Sequence, residues 1–148
     1  MAERSIIDAH LHLWDPNHLR YPWLESVPFL KKAFQIGDYR EATISSGISQ
    51  MVFVQCECDP AQSLEEVHWV SEIAKTDPRI TGIVAWVPLE KGDDVLPELE
   101  ILSNNPLVKG VRCPIQHAKD PLSFARQPSL LKGIQHLASF YLSLDLCV

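Results

Sequence analysis

Apolar and polar residues alternate most sharply near the start of the chain, over residues 5–14. Two isoleucines lead into Asp8, His10 and His12, with Ala9, Leu11 and Leu13 between them. Alternation is the mark of a strand whose successive side chains point to opposite faces. It predicts that Asp8, His10 and His12 share one face and the apolar residues the other. Residues 15–36 hold Pro16, Pro22 and Pro28 and no helical period, so they read as a long structured loop at the strand's C-terminal end. Trp23 and Phe29 are the expected packing residues of that loop. Asp38 is the expected cap of a short helix through about Ser46, stopped by Gly47. A buried strand follows at 50–57. Asp59 and Pro60 open the next helix, with Gln62 placed for a capping box. Its apolar stripe is Leu64, Val67, Val70, Ile73 and Ala74, and Thr76-Asp77-Pro78 ends it. Strands at 80–87 and 108–115 flank a helix at about 93–103. Pro128 opens a fourth helix carrying Leu130, Leu131, Ile134 and Leu137, and residues 141–148 form a fifth strand.

Strands alternating with helices imply parallel strands joined by crossovers, an α/β architecture in one domain over residues 1–148. Two folds compete. An open doubly wound sheet of five strands would be complete at about this length but normally ends in a helix. A (β/α)₈ TIM barrel takes eight units and typically ~250 residues. This chain offers about four strand–helix units and a bare strand 5, so the barrel reading implies a truncated barrel.

Composition narrows the setting. The chain has 148 residues, 46% hydrophobic and 22% charged, enough apolar material for a core. A net charge of −6 argues against nucleic acid or an anionic membrane as partner. No stretch approaches the ~20 apolar residues of a membrane span. The first five residues lack the basic-then-apolar order of a signal peptide. The four cysteines fall at or near predicted strands, which favours a reducing, cytoplasmic setting.

In both folds ligands bind at the C-terminal ends of the strands. Those ends offer His10 and His12, then Gln55 and Glu57, then Arg112 followed by Gln116 and His117, and Asp145. A carboxylate and two imidazoles on an apolar strand are costly to bury unless they bind something. Two imidazoles at this spacing can reach one metal ion, or both can be core histidines satisfied by carbonyls. Glu57 can hold metal, water or a substrate hydroxyl, or be a solvated residue at the strand exit. Arg112 suits a carboxylate or polarised carbonyl through its rigid fork of donors, or a salt bridge at the rim. Cys56-x-Cys58 has no second pair at matching spacing and reads as packing. His18, His68 and His136 read as solvent-facing or structural. A nucleophile elbow, a phosphate loop and a dinucleotide fingerprint are missing.

Residues 7–16, Ile-Asp-Ala-His-Leu-His-Leu-Trp-Asp-Pro, followed by Tyr21-Pro22-Trp23-Leu24, resemble the opening of the amidohydrolase-related lactonases. That family includes L-fuconolactonase-like, L-rhamnonolactonase-like and 2-pyrone-4,6-dicarboxylate lactonase-like proteins. Val52-Phe53-Val54-Gln55, the helix from Glu65 to Ala74, Ile83 to Val87, Gly110-Val111-Arg112 and Leu144-Asp145-Leu146 agree in order. The resemblance implies a metal-dependent-hydrolase type of (β/α)₈ barrel that opens a sugar-acid lactone or related cyclic ester with activated water.

On that resemblance His10 and His12 are the expected catalytic residues and metal ligands, the metal being one divalent ion, zinc foremost. In a metal-free variant the same imidazoles would donate hydrogen bonds to the lactone oxygen. Arg112, Glu57 and Gln55 are the expected substrate-binding residues. The family's later segments, including the aspartate expected to act as base, would fall beyond Val148, so the chain is expected to be weak or inactive by itself. The alternative is a non-catalytic product of the same fold that binds a ligand or self-associates through exposed strand edges.

Overall fold

The computed structural model of the chain describes residues 5–148; the reading of the N-terminus as leaderless rests largely on residues 1–4, outside that range. The described elements run β1 (Ile6–Leu11), α1 (Ile36–Ala42), β2 (Ile48–Val54), α2 (Ser63–Thr76), β3 (Ile80–Ala85), α3 (Leu96–Ser103), β4 (Val108–Pro114), α4 (Pro121–Ala125), α5 (Pro128–Ser139) and β5 (Ser143–Cys147). The five strands lie in the sheet in chain order, and the β1–β2 and β4–β5 pairs are parallel. This is the βα alternation that the hydrophobic pattern predicts. Among the described residues no helix is long and apolar enough to cross a membrane.

The chain divides into two compact units, one ending at Ile83 and the other spanning Val84–Val148. In the first, Leu11, Leu13, Met51, Phe53, Val67, Val70, Ile80 and Ile83 are buried. Each such side chain contributes about 1.5–3 kcal/mol on leaving water. At the end of α2, Asp77 is buried and accepts from Arg40 Nε at 2.8 Å and from Arg79 Nε and Nη2 at 2.9 and 2.8 Å. The guanidinium of Arg79, joined by that of Arg40, holds the Asp77 carboxyl well below the usual carboxylate range. In the second unit Leu89, Val95, Leu99, Leu102, Val108, Val111, Leu130 and Leu137 are buried. Here the 3₁₀ segment Leu89–Val95 packs on α5, with Gly92 turning at a φ of 65°.

Several local expectations need correction. Helix α1 starts at Ile36, and Asp38 is not its cap. Its carboxylate reaches back to the Gln35 N–H at 2.7 Å, the N3 half of a capping box. Asp59 does cap, accepting from Ala61 N at 3.1 Å, but a 3₁₀ turn at Pro60–Gln62 precedes α2. Gln62 instead accepts from the Arg20 N–H at 2.8 Å, tying down the long loop. In that loop Trp23 packs, whereas Phe29 is 77% exposed and covers nothing. The five-residue α4 was not foreseen, being too short to show a period. Leu131 lies on the open side of α5, 48% exposed.

The most consequential correction concerns β1. Asp8 stands beside Met51 and Leu11 beside Phe53, so three steps on β1 match two on β2. Partners in a parallel pair point to the same face, and Met51 and Phe53 share one. Asp8 and Leu11 therefore share that face as well. An opposite one-residue shift lies between Ile6 and Ile7, so the two irregularities cancel between Ile6–Ile48 and Leu11–Phe53. The one between Asp8 and Leu11 is a bulge, the device that re-aims side chains beside sites. Asp8 thus parts from His10 and His12, which flank Leu11, and points with the buried apolar residues.

Candidate functional site

Past the bulge, His10 and His12 come together. Their Nε2 atoms are 3.1 Å apart and their rings meet edge to face with centroids at 4.8 Å. His12 is half-buried, and its Nδ1 lies 2.9 Å from the carbonyl oxygen of Val54 at the end of β2. A carbonyl can only accept, so Nδ1 of His12 carries the proton, and in the neutral imidazole Nε2 presents a lone pair. His10 Nε2–H then donates to that lone pair. The result is a polarised chain running from His10 through His12 to the β2 backbone.

This geometry tests the metal expectation. Zinc–nitrogen bonds of about 2.0–2.1 Å put two tetrahedral ligand nitrogens about 3.3 Å apart, close to what the pair already shows. A backbone carbonyl fixing the far nitrogen is the usual support for a ligating histidine. The two residues fit as part of a ligand set. Among the described residues no group of three His, Cys, Asp or Glu side chains is arranged to hold a metal.

Asp8 has a scaffold role. Its carboxylate accepts Tyr39 Oη from α1 at 2.5 Å and the His10 N–H at 3.1 Å, which pins the bulge. Burial, with the Asp8 carboxylate beside it, pushes the Tyr39 hydroxyl up to about 12.

The exit of β2 holds the next two predicted residues. Gln55 is buried, and its Oε1 accepts the Glu57 N–H at 2.7 Å. Its Nε2 is buried and, among the described residues, meets no acceptor. Such an unmatched donor costs about 1–3 kcal/mol. Glu57 has a φ of 53°, a left-handed conformation that non-glycine residues adopt at a cost of order 1–3 kcal/mol and that clusters at functional sites. Trp23 Nε1 donates to the Cys56 carbonyl at 2.9 Å, so the loop after β1 is fastened to the same exit. The loop also lines an open cleft of about 360 Å³, bordered by residues including His18, Arg20, Tyr21 and Lys31.

Arg112 lies in the second unit. Its Nε is 3.5 Å from Asp145 Oδ2, its partner across β4 and β5, and its Nη2 donates to Cys147 Sγ at 3.1 Å. The rim ion pair weighed for this residue is therefore present. Gln116 and His117 contact each other at 3.3 Å. His136 pairs with Asp93 at 2.6 Å, and His18, exposed, stacks on Trp69 with centroids at 5.6 Å.

One residue of consequence was missed. Glu66, on α2, is 2% exposed, and its two carboxylate oxygens receive the Cys56 N–H at 3.2 and 3.4 Å. It lies four residues before Val70 and seven before Ile73, so the helical period does place it on the packed face. Burial lifts its pKa from 4.5 to about 7, against the opposing hydrogen bonds from the Cys56 N–H and the Cys58 thiol. The native chain thus keeps a proton that the unfolded chain releases above 4.5. Stability contributed here is full below that pH and falls as pH rises towards 7, by about 3 kcal/mol in all. Glu66→Gln, which cannot titrate, is expected to flatten that slope, as urea midpoints at pH 5 and pH 7.5 will register. An unchanged slope would remove Glu66 as its source.

Comparison with known proteins bears on the fold. No protein-family model matches the chain. An uncharacterized protein of Sinorhizobium fredii is 26% identical over 99% of this chain and 54% of its own length. Among solved structures, an amidohydrolase from Burkholderia multivorans with bound zinc superposes with a TM-score of 0.79 and 20% identity, over 98% of this chain and 49% of that one. Amidohydrolase 2 from Bifidobacterium longum subsp. infantis gives 0.70 and 22%, over 97% and 51%. A probable 2-pyrone-4,6-dicarboxylic acid hydrolase from Acinetobacter baumannii with citric acid bound gives 0.65 and 14%, over 97% and 49%. The chain spans about half the length of the proteins it matches. Four βα units and a fifth strand in chain order, superposing on these enzymes, give it the fold of an amidohydrolase (β/α)₈ barrel over about half of that barrel's length.

Proposed function

We propose that the chain belongs to a hydrolase of the amidohydrolase type that opens a lactone or related cyclic ester with activated water. The observation that carries this is the His10–His12 pair, with its Nε2 atoms 3.1 Å apart and the tautomer of His12 set by Val54. Zinc bound in the Burkholderia multivorans amidohydrolase and the pyrone-dicarboxylate hydrolase among the neighbours support the metal and the substrate class.

When bound, a divalent ion supplies a Lewis acid that polarises the carbonyl and acidifies water. His12 would ligate through Nε2 while its Nδ1–H stays on the Val54 carbonyl. His10 would have to move its proton from Nε2 to Nδ1 to ligate beside it. Without metal, the His10 Nε2–H is the donor placed for a lactone oxygen. The Gln55 amide, with its unmatched N–H, is the candidate donor to substrate. Arg112 is the candidate partner for a carboxylate or carbonyl, exchanging part of its contact with Asp145. Glu57, set by its unusual backbone, is the candidate for a hydroxyl.

The base is assigned to the portion of the relatives that has no counterpart in these 148 residues. A positioned base contributes about 10²–10⁴-fold, and residues 1–148 by themselves are expected to be slower by that factor than a chain spanning the relatives' full length. Hydrolysis of a panel of sugar-acid lactones, followed by acid release at constant pH with and without zinc, tests the reading. A full-length chain that binds these lactones without opening any of them would favour the non-catalytic alternative.

A further inference from the structure

We propose that Glu66 is a positioning residue for the His10–His12 pair, acting through the backbone at the exit of β2 and not by touching either imidazole. The inference rests on the reading of that pair as the working centre. Strand β2 ends at Val54, the residue whose carbonyl holds His12 Nδ1. Among the described residues the strand stops there, so the direction of that carbonyl depends in part on what anchors residues 55–57.

The contacts that do so among the described residues include three. Gln55 Oε1 accepts from the Glu57 N–H, Trp23 Nε1 donates to the Cys56 carbonyl, and the Glu66 carboxylate accepts from the Cys56 N–H with both oxygens. The third is the one that comes from a buried carboxylate. A leucine at position 66 would satisfy the packed face of α2 without the desolvation that a carboxylate brings. A carboxylate kept there is matched to a backbone N–H that would otherwise be orphaned in the core. The titratable groups gathered around it are the hydroxyl of Tyr21 and the thiols of Cys56 and Cys58. Its pKa near 7 is in keeping with a carboxylate held in the core, where N–H donors partly offset its burial.

The histidine tautomer reads this directly. In residues 1–148 labelled uniformly with ¹³C and ¹⁵N, two-bond ¹H–¹⁵N spectra should show His12 as the single Nδ1–H form. Glu66→Leu should shift the Cys56 amide and abolish that single form. Glu66→Gln, which retains an accepting oxygen, should restore both. A His12 that keeps its Nδ1–H form in Glu66→Leu overturns the proposal, and so does a glutamine variant as disturbed as the leucine one. If Glu66→Leu does not fold, titration of the unsubstituted chain decides. The Cys56 amide and the Val54 carbonyl carbon must then follow the Glu66 ¹³Cδ with one midpoint, and independent behaviour overturns the assignment. The metal-centre reading is separated by zinc titration of the unsubstituted chain: failure to bind leaves the tautomer result standing.

Discussion

Zinc affinity is expected to fall at least about 100-fold in His12→Ala, more than the 10–100-fold that loss of an outer partner typically brings. The substitution removes one of two nitrogens that already stand 3.1 Å apart. It also leaves the Val54 carbonyl without the N–H it accepts. His10→Ala should weaken binding comparably, since it removes the other donor while His12 keeps its tautomer. Asp8→Asn should act differently. Its partners are the Tyr39 hydroxyl and the His10 N–H, so its loss is expected to reduce stability before it reduces affinity. Competition against a chromophoric chelator distinguishes the three. Equal affinity in His12→Ala would exclude it as a ligand, and no zinc binding by the parent chain would leave the hydrogen-bonding role of the imidazoles in its place.

Gly133→Ala is expected to destabilise the second unit by about 3 kcal/mol or more, at the upper end of what overpacking does. Glycine in the middle of a helix normally costs roughly 1 kcal/mol against alanine, so propensity predicts the opposite sign. The structure overrides it. A Cβ at 133 would sit 2.0 Å from the carbonyl oxygen of Leu89 and 2.8 Å from its carbonyl carbon. Both are backbone atoms, and neither can turn aside as a side chain would. Helix α5 would have to lift off the Leu89–Val95 segment, exposing the buried faces of Leu130 and Leu137. Gly37 in α1 is the control, with nothing within 4 Å of an added methyl. Gly37→Ala should gain up to about 1 kcal/mol. Urea denaturation of the two variants checks both signs, and a neutral Gly133→Ala would refute the close approach.

The sequence makes the elements legible because their signals are local. Val67 and Val70 keep the helical period in α2, Asp59-Pro60 mark its approach, and the apolar runs of β2 and β4 stand between turn residues. The His10–His12 pair is legible for the same reason, as a spacing of two at the end of a strand. What escapes is set by tertiary partners. The face of Asp8 depends on a bulge that appears in the register with β2 and not in the alternation of β1. The role of Glu66 depends on a backbone N–H ten residues away, although its helical position could have marked it as buried. The Asp145 partner of Arg112 comes from a strand more than thirty residues on.

The bulge in β1 changes what the Asp-x-His-x-His signature means. Read as text, it is three equivalent letters of one ligand set. Read through the register, the first letter belongs to the scaffold and the last two to the proposed metal pair. Selection should then act on them separately. Across related sequences position 8 should co-vary with the tyrosine position of α1, and positions 10 and 12 with each other. A motif search that scores all three as ligands will reject relatives that have exchanged the Asp8–Tyr39 pair for another, and will accept chains that keep the letters but lack the bulge.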